Sequence, residues 1–164
     1  IPEFERCVRE GQPHAFLMEN VPDAPEPIIE GYAIHSFMLN NRWCGGEQER
    51  TRRFSFGVLG NVPIDLRRWL DVVLFETVEW SPAVCASGGI KPGIGASDRK
   101  TRARYYGWKT AEALRESIRL QGLPDNFLEK APFTLEGKHK VVGNGVPLPM
   151  GRAVAAAVRV AMEL

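Results

Sequence analysis

A chain of 164 residues with 44% apolar content is long enough to bury one real core and has the composition of a globular domain. Its net charge of +1 excludes a molecule that binds polyanions with its whole surface, so any role on nucleic acid needs locally clustered charge. Cys7, Cys44 and Cys85 are widely spaced and hold no Cys-x-x-Cys. With only His14, His35 and His139 beside them they make no zinc pattern, so no metal is expected.

Free thiols suit a reducing compartment, and a cytoplasmic location is expected. No apolar run reaches the length of a membrane span and the N-terminus has no apolar signal region, so no membrane partner is expected. The first residue is Ile1 rather than Met, which fits a processed chain or the downstream part of a longer one.

Pro2 to Glu10 carries Phe4, Cys7 and Val8 at helical spacing among charges, and Gly11 is expected to end that helix. Phe16-Leu17-Met18 then runs straight into Glu19-Asn20-Val21, bounded by Pro13 and Pro22. A short apolar run of this kind predicts a buried strand over 14–20. In an open sheet flanked by helices, ligands sit at the carboxyl ends of strands, which makes Glu19 the first candidate for chemistry. A Glu at a strand end is more often simply solvated.

Asp23 to Pro27 reads as a turn, and Tyr32 to Leu39 and Arg52 to Leu59 as two further strands. With Asn40-Asn41 and Gly45-Gly46 between them, these two form an expected antiparallel hairpin. Leu66 to Thr77 spaces Leu66, Leu70, Val73 and Leu74 as a helix would.

Residues 87–104 are rich in glycine and carry Lys91, Arg99, Lys100, Arg102 and Arg104 against Asp98. They read either as a surface loop or as a loop that tracks a phosphate backbone. Thr110 to Gln121 is an expected helix with Thr110 as N-cap and Gly122 as stop. Ala113, Ser117 and Leu120 would face inward. Leu123 to Phe127 is a turn leading into a short helical piece. The last helix is expected from about Pro149 to Met162, with Met150, Val154, Val158 and Met162 as its buried stripe.

Three more segments bear on Glu19. Gln48-Glu49-Arg50-Thr51-Arg52 puts Arg50 and Arg52 on one face of a strand, followed on that face by Phe54. Arginines beside a core are costly unless paired or given a ligand. Arg115-Glu116 to Phe127 forms a second pattern. Gly143-Asn144-Gly145-Val146-Pro147 forms a third, whose glycines allow close backbone approach just before the last helix.

In order and spacing, these segments resemble the C-terminal part of DNA (cytosine-5) methyltransferases. Glu19-Asn20-Val21 is similar to that family's ENV motif, and Gln48, Arg50 and Arg52 to its Q-x-R-x-R. Residues 115–127 resemble R-E-x-x-R-L-Q-x-x-P-D-x-F, and residues 143–147 the closing G-N-x-V-P. The fold implied is α/β: the C-terminal half of a Rossmann-like S-adenosylmethionine-dependent methyltransferase domain with a minimal target-recognition insertion. Residues 1–58 would be the back half of the catalytic domain, 59–108 the short DNA-contact region, and 109–164 the segment returning to the catalytic domain.

The resemblance implies a flipped cytosine attacked by a cysteine and methylated at carbon 5 from S-adenosylmethionine. Glu19 would hold the N3 and exocyclic amine edge, in protonated form as a donor to N3. Arg52 would hold O2, with Arg50 as its companion. Asn144, Gly145 and Val146 would line the cofactor pocket, and Lys91, Arg99, Lys100, Arg102 and Arg104 would meet double-stranded DNA. Residues 115–121 would brace the DNA-reading region.

Two parts of the family pattern are missing: the Pro-Cys nucleophile pair and the Gly-rich cofactor loop, both expected upstream of Ile1. Cys7, Cys44 and Cys85 follow Arg6, Trp43 and Val84, and none fits. The expectation is therefore a fragment or split subunit, inactive alone, whose partner is the missing N-terminal half as a separate chain. The alternative is a non-catalytic remnant that binds DNA or a protein partner.

Overall fold

The last of the three expected strands lies in the middle of the sheet. The computed structural model describes residues 1–70, 83–86 and 110–163. β1 (Ala15–Asn20), β2 (Tyr32–Asn40) and β3 (Thr51–Leu59) pair in the order β1-β3-β2. β1 runs antiparallel to β3, with Ala15 opposite Val58 and Asn20 opposite Arg53. β2 and β3 form the expected hairpin. Gly60 N donates to Gly31 O at one end, the Ser36 and Ser55 hydroxyls meet at 2.8 Å midway, and Asn41 N donates to Arg50 O at the other end.

The chain divides into two compact units. The first comprises Ile1–Leu39, Thr51–Asp71 and Ala153–Leu164, the second Asn40–Arg50 and Val72–Arg152.

In the first unit, helix α1 (Pro2–Gly11) starts on a proline, where the missing N–H costs nothing, and carries Glu3 and Glu5 at its electropositive end. It buries Val8 with Phe16 and Ile29, and Phe4 meets the Phe16 ring edge-on at a centroid distance of 5.4 Å. Gly11 is not the stop expected from the sequence. It is the last helical residue, and Gln12 takes the left-handed turn at φ 42°.

β1 is an edge of the described sheet and not a strand buried on both faces. Phe16 and Met18 are buried, whereas Leu17, on the other face, is 39% exposed. Gly57 lies opposite Phe16, and a Cβ there would overlap the Phe16 ring, so the glycine makes room for the aromatic.

The helix expected from Leu66 is, over the described residues, a single 3-10 turn (Leu66–Trp69). Leu70 already has extended dihedrals, φ −79° and ψ 120°. Residues 71–77 lie outside the described residues. The turn buries Leu66 and is capped by Asp65, whose carboxylate accepts from Arg67 N.

In the second unit, α2 (Ala111–Leu120) has its expected N-cap: Thr110 Oγ1 accepts from Ala113 N at 3.1 Å. Gly122 supplies the left-handed residue at φ 69°. The buried face is Leu114, Ser117, Ile118 and Leu120, while Ala113 is only half-buried. α3 (Leu135–Asn144), capped by Thr134, is not expected from the sequence. Val84, Leu114, Ile118, Leu120, Leu128 and Val142 make this unit's core.

The last helix, α4 (Leu148–Glu163), forms where expected, but its buried stripe is Met150, Val154, Ala157 and Ala161. Val158 is half-buried and Met162 is 46% exposed. The reason is geometric. Four-residue steps advance about 40° beyond a full turn, so three in a row leave the face, whereas steps of four, three and four stay on it.

Ala157→Leu is therefore expected to destabilise this chain by about 1–3 kcal/mol through overpacking, and Met162→Ala by less than about 0.5 kcal/mol, in thermal or denaturant melts. The reverse order would restore the stripe through Met162.

A second expectation concerns acid. The Arg67 guanidinium holds the Asp65 carboxyl down at about 2. A depressed folded-state pKa stabilises the fold above the ordinary Asp value of about 3.9 and loses that contribution as pH falls through the lower value. Asp65→Asn should flatten the stability profile between about pH 4 and pH 2. An unchanged acid limb would contradict the tie.

Candidate functional site

In the first unit, the ladder between β1 and β3 sets Glu19 directly opposite Phe54. Arg52 is two residues from Phe54 on the same face of β3, which makes it the diagonal neighbour of Glu19. The two side chains meet: Arg52 Nε lies 2.7 Å from Glu19 Oε1, a charge-assisted hydrogen bond. Arg52 Nη1 donates to Thr51 O at 2.8 Å. Both side chains are partly open, 16% for Arg52 and 26% for Glu19.

Phe54, directly opposite Glu19, is buried, and its ring stacks on Phe37 with centroids 5.8 Å apart. The result is an ionic pair beside an aromatic floor. Arg53, on the opposite face, donates to Ala24 O.

Arg50 goes elsewhere. It belongs to the second unit, is 3% exposed, and spreads its guanidinium over backbone carbonyls. Nη1 donates to Val84 O at 2.7 Å, and Nη2 to Gly143 O at 2.8 Å and Gly145 O at 3.1 Å. Gln48 is fully buried beside it. Its amide donates to Leu120 O and to Gln121 Oε1, and its oxygen accepts from Val84 N. Gln121, also buried, donates to Val142 O at 2.5 Å, and its backbone oxygen accepts from Leu148 N. Three of the four sequence patterns thus meet in one hydrogen-bonded cluster. Arg119 adds an outer tie to Glu116 and to Glu47.

Asn144 ends α3 with its side chain exposed, and Gly145 and Val146 are half-buried. Gly145 N donates to Val142 O while Gly145 O accepts from Arg50, so the Gly145 backbone is engaged within the protein. Gly143 is a point of close approach, as its type suggested, but what approaches is the chain itself. A Cβ there would overlap the backbone of Cys85 and Ala86. The signals for this cluster, Gln48 and Gln121, lie within the segments 48–52 and 115–127.

Burial pushes the Cys44 thiol up to about 11, which keeps it protonated and unreactive. Cys7 is exposed on α1 and Cys85 half-buried. Lys91, Arg99, Lys100, Arg102 and Arg104 lie outside the described residues. Among the described residues, no group of three or more His, Cys, Asp and Glu is placed to hold a metal ion, and no helix is long and apolar enough to cross a membrane. A cavity of about 430 Å³, unforeseen from sequence, opens in the second unit and is lined by Leu114, Ile118 and Leu128 together with Arg115, Asp125 and Lys138.

No family model matches the chain. A DNA (cytosine-5)-methyltransferase CMT2 of Oryza sativa subsp. japonica is 42% identical over 48 residues, 29% of this chain and 4% of the rice protein. The crystal structure of S. pombe Dnmt2 methyltransferase superposes with a TM-score of 0.54 at 15% identity, over 92% of this chain and 65% of that one. The Entamoeba histolytica methyltransferase EhMeth gives 0.54 at 13% identity, over 92% and 63%. The chain therefore spans less than two thirds of either solved relative. It carries a partial Rossmann-like methyltransferase fold and is similar to the C-terminal part of a DNA methyltransferase, as the motif resemblance implied.

The two glycines of the closing pattern should behave oppositely. Gly143→Ala is expected to destabilise the chain by about 1–3 kcal/mol or more, because backbone has to give way. Gly145, at φ −68° with only ordinary contacts around its Cβ position, should accept Ala with a gain of about 0.4–1 kcal/mol. Melting temperatures of the two variants decide this, and equal losses would contradict the asymmetry.

Proposed function

We propose that this chain is the C-terminal portion of a DNA (cytosine-5-)-methyltransferase, and that Glu19 and Arg52 hold the Watson–Crick edge of a cytosine flipped out of double-stranded DNA. The observation that carries this reading is their 2.7 Å ion pair at a partly open position beside Phe54. A cytosine edge offers an acceptor at O2 and a donor at the exocyclic amine. A guanidinium can only donate and a carboxylate only accepts, so the pair is complementary to that edge. Arg52 donates to O2 and stabilises the charge that builds on the ring. Glu19 accepts from the amine and, when protonated, donates to N3. Phe54, buried opposite Glu19, adds an apolar neighbour to the pair.

S-adenosylmethionine supplies the methyl group when bound. The residues present fit it in one respect: the carbonyls of Val142, Gly143 and Gly145 are taken up by Arg50 and Gln121, while the Asn144 amide is exposed and Val146 partly so. Asn144 and Val146 are thus the groups offered to the cofactor. The attacking cysteine and the Gly-rich cofactor loop come from residues beyond these 164, on the same polypeptide or on a separate N-terminal half. Lys91, Arg99, Lys100, Arg102 and Arg104 contact the DNA backbone.

The test uses the full-length enzyme or the two halves combined. Glu19→Gln and Arg52→Ala should each slow single-turnover methyl transfer about a hundredfold, while DNA affinity changes by less than about threefold. Parallel losses of rate and affinity would overturn the assigned roles. If the chain alone binds duplex DNA with a steep salt dependence and no upstream half restores transfer, the non-catalytic reading replaces this one.

A further inference from the structure

We infer that Arg50 and Gln121 are positioning residues that clamp the segment 142–147 from its inner side and so hold Asn144 and Val146 in the conformation that receives the cofactor. The inference rests on the proposed function for the identity of the ligand, but the clamp itself stands on geometry within the second unit.

The last carbonyls of a helix have no intrahelical partner, and a Gly-x-Gly sequence across the helix end has the most backbone freedom to lose on ordering. The segment after Val141 has both problems at once. α3 has no basic residue in its last turn to meet its electronegative end. Arg50 fills that place from outside the helix, putting a cation on Gly143 O and Gly145 O. Gln121 takes Val142 O. Leu148 N, on the far side of the segment, bonds back to Gln121 O at 2.8 Å. The segment is therefore tied at its start, its middle and its end.

The clamp is in turn held in place. Gln48 orients the Gln121 side chain through a 3.0 Å bond to its oxygen, leaving the Gln121 nitrogen to donate, and Gln48 also accepts from Val84 N. Val84 O receives the other arm of the Arg50 fork. A fork with fixed geometry spans carbonyls on two chain segments at once, which a lysine ammonium does not. All three side chains are almost completely buried, so none is placed to touch a ligand directly. Their effect on the cofactor has to pass through the backbone they hold.

The experiment combines amide hydrogen exchange on this chain with kinetics of the enzyme that contains it. Arg50→Met should raise exchange at the amides of residues 143–148 about tenfold, with peptides from α1 and β1 unchanged. Arg50→Lys should fall between the variant and the native chain. Gln121→Met, a milder cut at the other end, should raise exchange at the same peptide and nowhere in the first unit, which keeps the test valid if Arg50→Met fails to fold. In the enzyme, KM for S-adenosylmethionine should rise about tenfold with kcat within about twofold. Exchange that is unchanged, or that rises evenly over both units, overturns the clamp. A local rise with an unaltered KM overturns its link to the cofactor. If the native enzyme transfers no methyl group at all, the proposed function fails, while the exchange result still decides the clamp.

Discussion

A guanidinium buried to 3% exposure is tolerated only where most of its donors are met, and the two Nη atoms of Arg50 meet the carbonyls of Val84, Gly143 and Gly145. Those carbonyls come from segments about 35 and 95 residues away, so the guanidinium ties together parts of the chain that are distant in sequence. The glycine-bearing turn after α3, the short stretch around Val84 and the end of α2 are irregular or terminal backbone. Such backbone is stable only when its polar groups are paired. Gln48, Arg50 and Gln121 do that pairing, and the apolar cluster of Val84, Leu120 and Val142 packs around the same places. Polar satisfaction and apolar packing here fix the same three segments.

Within Gln48 to Arg52, neighbouring residues of one motif serve different ends. Arg50 is committed to backbone in the second unit; Arg52, two residues on, is counted in the first unit and bonds Glu19. The contrast is one of chemistry as well as place. Carbonyls are neutral and permanent partners, so Arg50 has nothing to exchange. Glu19 is a single carboxylate at a partly open position, and a partly screened pair of that kind is worth little as a structural tie. What it does supply is two oppositely suited hydrogen-bonding groups at a fixed separation.

Much of the fold was legible because local chemistry and long-range packing agreed. Pro13 and Pro22 bracket β1, alternation marks β3, and Thr110 and Gly122 bound α2 by the expected cap and left-handed turn. α3 escaped notice because Leu135-Glu-Gly-Lys-His-Lys-Val-Val-Gly-Asn has no apolar stripe. Only His139, Val142 and Gly143 are buried, and the helix rests on its Thr134 cap and on partners distant in sequence. The α4 stripe differs from the expected one because alanine at 157 and 161 carries little apolar weight in sequence, yet these small residues occupy buried positions. The pairing of Glu19 with Arg52 followed from motif resemblance; the diagonal register that brings them together depends on β1 joining β3 rather than β2, which no local signal specifies.

Glycine was the least decisive residue to read. Each glycine in a motif suggests that something comes close to the backbone, but not what. At Gly57 it is the Phe16 ring, at Gly46 the Asn41 side chain, and at Gly143 the backbone of Cys85 and Ala86. In a pattern such as Gly-Asn-Gly-Val-Pro a ligand is the tempting answer for both glycines. The structure separates them: the first is required by the protein's own packing, and the second adopts dihedrals open to any residue. A glycine in a motif can thus mark a place where the protein packs against itself as readily as one where a ligand comes close.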